Sequence, residues 1–162
     1  MRLTRFTDYG LRTLIYLAIA PERLAMIAEI ARAYQISEHH MTKVVHRLGQ
    51  AGLAETIRGR NGGLRLARPA EEISLGAVVM AMEPEMALAE CQADGPCAIR
   101  GACRLESILD EALGAMLAVL NRYSLADIAT PRHAALRRRL LATIDVVTAE
   151  DAPLDAEFGS KV

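Results

Sequence analysis

Every cysteine of the chain falls in one short segment, Cys91, Cys97 and Cys103, spaced C-x5-C-x5-C. Three thiols cannot all pair as disulfides, and a reducing compartment disfavours even one pair, so metal ligation accounts for the pattern better than cross-linking. Gly95, Pro96 and Gly101 interrupt the segment and make it a loop able to wrap a metal while its backbone N–H groups face bridging sulfides. Thiolates suit iron-sulfur clusters and zinc alike. Three of them leave one coordination position for another residue or for solvent. Zinc calls for a fourth Cys or His, but there is no fourth Cys, and the nearest histidine, His133, lies 30 residues beyond Cys103. The spacing favours an iron-sulfur cluster over zinc, and both over reactive or merely buried thiols.

A second set of residues points to nucleic acid. Residues 1–70 carry 11 Lys and Arg against 5 Asp and Glu, whereas residues 71–162 carry 8 against 15. A basic half joined to an acidic half is the pattern of a nucleic-acid reader with a separate sensing or dimerising region, although uneven surface charge alone would also produce it. Within the basic half, Arg58-Gly-Arg-Asn-Gly-Gly63 can form a tight turn with two arginines at its tip, suited to a narrow groove or to phosphates. A nucleotide phosphate loop is excluded, because no Gly-Lys-Ser/Thr ends the run and no helix opens on its last glycine.

The elements that must position these groups follow from periodicity and punctuation. Thr7 is expected to cap a first helix to about Ile19, with Leu11, Leu14, Ile15, Ala18 and Ile19 at helical spacing and Pro21 beyond its end. Ile27, Ile30, Ala31 and Tyr34 mark a short second helix, and Ser37 caps a third that ends at Gly52. In that third helix Met41, Val44, Val45 and Leu48 form one apolar stripe. Short helix, tight turn and capped helix read as helix-turn-helix. Leu53–Ile57 and Leu64–Leu66 alternate apolar and polar residues around the glycine-rich turn, which predicts a hairpin, and a basic hairpin directly after a helix-turn-helix is a wing. On this reading Ser37, Glu38, His39, His40, Thr42 and Lys43 open the recognition helix toward a major groove, and Arg58, Arg60 and Asn61 contact adjacent backbone or minor groove, joined by Arg2. Losing a wing arginine should then weaken binding to all sequences, whereas changing His40 or Lys43 should alter preference among them.

Beyond the wing, Ser74 is expected to cap a helix from Leu75 to about Glu83, ended by Pro84. After the cysteine segment, Leu105, Ile108, Leu109, Ala112, Leu113, Met116, Leu117 and Leu120 predict a helix of about 19 residues ending near Tyr123, roughly 29 Å long. That exceeds what a small winged-helix core needs, so dimerisation is the expected use, with a core helix folded back on the wing domain as the alternative. Ser124 and Asp127 suggest a capping-box start to another short helix, and His133–Val147 a last one, its Arg137, Arg138 and Arg139 a solvated face or phosphate contacts. The fold class is therefore mainly α with a small β-hairpin wing. The expected units are a winged helix-turn-helix at 1–83, a cysteine-bearing loop at 84–104, a dimerisation helix with C-terminal helices at 105–148, and a disordered tail at 149–162.

Composition sets the outer bounds. Six aromatics and no Trp indicate an aliphatic core of the kind helices prefer and argue against an all-β sandwich. The longest apolar runs, Leu75–Met82 and Leu113–Leu120, reach eight residues, far below the roughly 18 a membrane span needs. An acidic residue, Asp8, precedes any long apolar stretch, so no secretory signal is expected and the protein is placed in the cytoplasm. No arrangement of Ser/His/Asp, no His-Glu-x-x-His and no phosphate loop marks an enzyme.

Met1-Arg-Leu-Thr4, Phe6-Thr-Asp-Tyr-Gly-Leu-Arg12, Ile36-Ser37 with Met41, Val45, Leu48 and Ala51-Gly-Leu53, the wing Ile57-Arg-Gly-Arg-Asn-Gly-Gly63 and the triplet closing on Cys103-Arg-Leu105 together resemble the iron-sulfur winged-helix transcriptional repressors, the family of IscR, RirA and NsrR. The resemblance covers about residues 1–130. It is strongest to the nitric-oxide-sensing branch, through Phe6–Arg12, His40-Met41 with Lys43, Cys103-Arg-Leu105 and Tyr123-Ser-Leu-Ala-Asp127. It implies a homodimer that binds double-stranded DNA at a palindromic operator and releases it when its cluster, 4Fe-4S rather than 2Fe-2S, is nitrosylated. One branch of the family supplies a histidine three residues after the last cysteine, where this chain has Glu106. The nitric-oxide-sensing branch resembles another arrangement, in which an acidic residue matching Asp8 reaches the cluster from the partner subunit. A carboxylate is a hard, weakly held iron ligand; the competing role for Asp8 is a first-turn carboxylate facing the helix dipole. The iron-responsive branch shares stretches like Glu29-Ile-Ala-Arg-Ala-Tyr34 and the wing but spaces its first two cysteines more widely. An iron-sulfur electron carrier and a zinc-stabilised structural module are the alternatives of another class.

Overall fold

The structure is a computed structural model that describes residues 2–93, 95–129, 134–136 and 138–141. Its elements run α1 (Arg5–Ile19), α2 (Ile27–Tyr34), α3 (Glu38–Gln50), β1 (Ala54–Ile57), β2 (Gly63–Leu66), a 3-10 turn (Ala70–Glu72), α4 (Leu75–Met82), a second 3-10 turn (Glu90–Ala93), α5 (Leu105–Leu120) and α6 (Leu125–Ile128). The expected mainly helical fold with a β-hairpin wing is what the chain forms.

Local chemistry sets most of the helix starts. The Ser37 side chain accepts from His40 N, that of Ser74 from Ala77 N, and Ser124 and Asp127 complete the reciprocal capping box at α6, each satisfying N–H groups that a helix start leaves free. Helix α1 departs from the expectation. Its cap is Thr4, one turn earlier than Thr7, which lies fully buried inside the helix. The reason is tertiary. Glu83, at the end of α4, accepts hydrogen bonds from Thr4 N, Thr4 Oγ1 and Thr7 Oγ1, so the Thr7 hydroxyl is committed to a carboxylate 76 residues away in sequence.

The sharp turn between α2 and α3 is made by Gln35, whose backbone is left-handed at φ 55° and whose N–H returns to Ala31 O and Arg32 O, a helix-ending geometry. The α3 stripe of Met41, Val44, Val45 and Leu48 is buried, and together with Leu14, Leu17 and Ile19 of α1, Ile30 of α2, Leu53, Leu64, Val78 and Met82 it forms one aliphatic core. The β-strands pair antiparallel, Ala54 opposite Leu66 and Ile57 opposite Gly63. A bridge from Leu64 to Ala25, N–H to carbonyl at 2.9 and 2.8 Å, fastens the hairpin to the residues before α2.

Helix α5 behaves differently. It spans 16 residues, not the expected 19, because Asn121–Tyr123 form a turn rather than a last helical turn. None of its residues is buried, and Leu105 and Ile108 stay more than half exposed. Its C-terminal end is bolted to the core. Ser74 Oγ donates to Asn121 Oδ1 at 2.6 Å, and backbone bonds join Leu75 N to Tyr123 O and Leu125 N to Ile73 O. Of the expected helix at His133–Val147, residues 134–136 and 138–141 are helical and Leu140 is buried. The remainder of that helix and the expected disordered tail lie outside the described residues. No helix among the described residues is long and apolar enough to cross a membrane.

Candidate nucleic-acid interface and cysteine segment

The first two turns of α3 and the wing tip both face solvent. Glu38, His39, His40, Thr42 and Lys43 are exposed, as are Arg58, Arg60 and Asn61. Two of the hydroxyls expected to face DNA are also used locally, Ser37 as the cap and Thr42 Oγ1 as a donor to Glu38 O at 2.9 Å. The wing tip depends on glycine. Gly59 has φ 120°, and a Cβ at Gly62 would lie 2.2 Å from Ile57 O, so only a residue without a side chain permits this turn.

Two clefts flank α3. One, of about 460 Å³, opens between the wing and the start of α2 and is bordered by Met26, Ile27, Glu38, Arg58 and Arg60. The other, of about 270 Å³, lies between α1 and α3 and is lined by Arg5, Phe6, Tyr9, His40, Lys43 and Val44. Arg5, Phe6 and Tyr9 were not among the residues expected at the interface. Their signal was the i, i+4 spacing of Arg5 and Tyr9, which puts both on one face of α1. Arg2 is exposed but borders a small cleft with Glu83, Glu85 and Met116, so the structure does not bring it beside α3.

The three cysteines are free thiols, Cys91 and Cys103 half-buried and Cys97 exposed. Their segment is held by its own polar groups. Gln92 accepts from Leu88 N and Ala89 N and donates to Asp110 of α5 at 2.8 Å, while Arg100 donates to Cys91 O at 2.6 Å. Leu105 N donates to Cys103 Sγ at 3.4 Å, an N–H···S contact of the kind that stabilises a thiolate or cluster sulfur. Soft donors on a glycine-broken loop with an N–H aimed at one sulfur fit an iron-sulfur cluster in chemical kind. They are not gathered, however: among the described residues no group of three or more His, Cys, Asp or Glu converges on a metal position.

Asp8 lies in the first turn of α1, where the helix dipole favours a carboxylate, and within the single chain its partner is Arg12. Arg12 donates to Asp8 through Nε at 3.0 Å and pairs through Nη2 at 2.9 Å. The same guanidinium stands 5.7 Å from the Tyr34 ring centroid. Burial pushes the Tyr34 phenol up to about 12, Arg12 opposes that shift, and Asp8 adds to it. The fourth-ligand candidate is thus tied into the α1–α2 contact rather than to the cysteines.

Residues 3–131 match the family described as Rrf2, iron-dependent transcriptional regulator. The HTH-type transcriptional regulator NsrR of Shouchella clausii is 48% identical over 131 residues, covering 79% of this chain and 88% of its own. The protein of the same name from Geobacillus kaustophilus is 48% identical over 143 residues, 86% of this chain and 97% of its own. Among solved structures, CymR, the global cysteine regulator of B. subtilis, superposes with a TM-score of 0.65 at 28% identity, over 80% of this chain and 96% of that one. T. potens IscR shares the fold, with a TM-score of 0.62 at 22% identity over 79% and 85% of the two chains. The matched span contains the helix-turn-helix, the wing and all three cysteines, and the chain belongs to the Rrf2 family of transcriptional regulators.

Proposed function

We propose that this chain is a homodimeric repressor that holds a palindromic operator and releases it when nitric oxide attacks an iron-sulfur cluster, 4Fe-4S in type, carried by Cys91, Cys97 and Cys103 with Asp8 of the partner subunit as fourth ligand. The observation that carries this reading is the presence, in one chain 48% identical to regulators named NsrR, of a solvent-facing helix-turn-helix and wing together with the cysteine triplet. When bound, the cluster supplies iron sites that react with nitric oxide. The chain's own residues would do the rest. Ser37, Glu38, His39, His40, Thr42 and Lys43, with Arg58, Arg60 and Asn61, would face the DNA, and α5, none of whose residues is fully buried in the single chain, would pair with a second copy.

The root of the cysteine segment is fastened to both helices that matter. Glu83, directly before Pro84, holds the first turn of α1 through Thr4 and Thr7. Two residues earlier in the same stretch, Ala81 O accepts from Arg47 Nε of α3 at 2.9 Å. A change in the segment therefore has short mechanical routes to the recognition helix and to the helix that bears Asp8. Arg12 competes with any ligand role for Asp8, because it already donates to both carboxylate oxygens. Turning a 99% DNA-bound population into 1% takes a shift of about 5.5 kcal/mol.

The test is the ultraviolet-visible spectrum of anaerobically purified protein, followed by DNA binding before and after stoichiometric nitric oxide. The expected result is a brown protein whose DNA affinity collapses on nitrosylation. The family description as iron-dependent supports a second reading, an iron-responsive regulator, which a brown protein indifferent to nitric oxide but released from DNA by iron chelation would establish. A colourless, zinc-containing protein would overturn both.

A further inference from the structure

We propose that the cleft between α1 and α3 is a seat for a DNA phosphodiester, so that His40 and Lys43, together with Arg5 and Tyr9, grip the backbone, and base reading falls to the opposite flank of α3. This rests on the DNA-binding reading above.

The geometry of α3 makes the division. With its buried stripe at Met41, Val44, Val45 and Leu48, the 3.6-residue turn places His39 opposite that stripe, Glu38 and Thr42 on one flank, His40 on the other, and Lys43 between His39 and His40. The clefts agree with this arrangement. Glu38 borders the cleft shared with the wing, whereas His40 and Lys43 line the cleft shared with α1. A side chain turned sideways into a hollow floored by Phe6 and Val44 is badly placed to reach base edges deep in a major groove. It is well placed to meet the sugar-phosphate strand at the groove's rim.

Charge identifies the occupant. Arg12, Arg23 and Arg65 each pair with a carboxylate, Asp8, Glu29 and Glu55 respectively. Neither Arg5 nor Lys43 has a carboxylate partner among the described residues, and both are exposed. The nearest acid on α1, Asp8, is already held by Arg12. Two cations, an imidazole and a phenol around a hollow of about 270 Å³ offer a guanidinium fork, an ammonium and an O–H donor to the two free oxygens of a phosphodiester.

The experiment uses the cluster-loaded full chain and two probes, a duplex that the wild type selects from a random pool and an unrelated duplex of equal length, titrated across a salt series. Arg5→Gln and Lys43→Gln are each expected to weaken both duplexes by the same factor and to lower the slope of log affinity against log salt by about one. Tyr9→Phe, which removes only the O–H, should weaken both equally with the slope unchanged. His39→Ala and Thr42→Ala should instead alter the preferred bases, by about tenfold at a contacted position, and keep the slope. Arg122→Gln, an exposed cation after α5, serves as the control and should change neither. If Lys43→Gln or His40→Ala changes base preference while the slope stays constant, the seat is wrong and the DNA-reading function stands. The seat is equally overturned if Arg5→Gln leaves the affinity for both duplexes unchanged. If the wild type selects no duplex at all, the DNA-binding function itself falls, and the seat with it.

Discussion

The helix-turn-helix with its wing and the cysteine-bearing region are finished to different degrees within one chain. From α1 to β2 nearly every apolar stripe meets a partner, and Leu14, Ile30, Met41, Val44 and Leu48 are all fully buried. From Glu85 to Leu120 the thiols are free, and α5 buries none of its residues. The first region satisfies itself. In the second, the thiols converge on no metal position among the described residues and no residue of α5 is fully buried; under the proposed function a cofactor and a second copy would complete it. Coupling such a part to a self-sufficient one lets binding events act on the DNA-reading surface without the fold depending on them.

Equivalent truncations in the two regions should break this contrast most sharply. Leu48→Ala empties a fully buried site and should cost about 3 kcal/mol in urea denaturation. Ile108→Ala, at a site more than half exposed, should change the unfolding free energy of dilute chain by less than about 0.5 kcal/mol while weakening self-association in sedimentation equilibrium. Comparable stability losses from both would show that α5 is a core helix after all.

The next largest effect belongs to the wing. Gly62→Ala forces a Cβ onto Ile57 O and should cost about 2 kcal/mol, with loss of DNA affinity measured by anisotropy and an intact helical circular dichroism signal. Ser37→Ala removes the cap of α3 and should lower stability by about 1 kcal/mol, read as a reduced midpoint with unchanged slope against denaturant. The smallest structural effect should come from Cys97→Ser at an exposed thiol, within about 0.5 kcal/mol of wild type. That variant should nevertheless lose the visible chromophore and the response to nitric oxide. If it kept both, the assigned ligand set would be wrong.

Much of the fold was legible because it is written locally. Ser37, Ser74 and Ser124 each satisfy N–H groups within three residues of themselves, and the spacing of Met41, Val44, Val45 and Leu48 names a buried face without reference to what covers it. The candidate site was legible as residue types: a thiol triplet, a basic wing and a polar helix start. The α1 side of the interface was not, because Arg5 and Tyr9 gain meaning only when α1 packs beside α3.

The sequence by itself determined where α3, α4 and α6 begin, the apolar face of α3, and which groups could bind metal or DNA, since these depend on contacts one turn long. Only the tertiary structure decided that Thr4 rather than Thr7 caps α1, since either threonine could cap a helix starting just after it and a carboxylate 79 residues from Thr4 fixes the earlier start. It also decided that His40 and Lys43 share a cleft with α1 while Glu38 faces the wing, and that Asp8 is held by Arg12 beside Tyr34. These outcomes turn on distances between segments remote in the chain, and residue spacing carries no record of such distances.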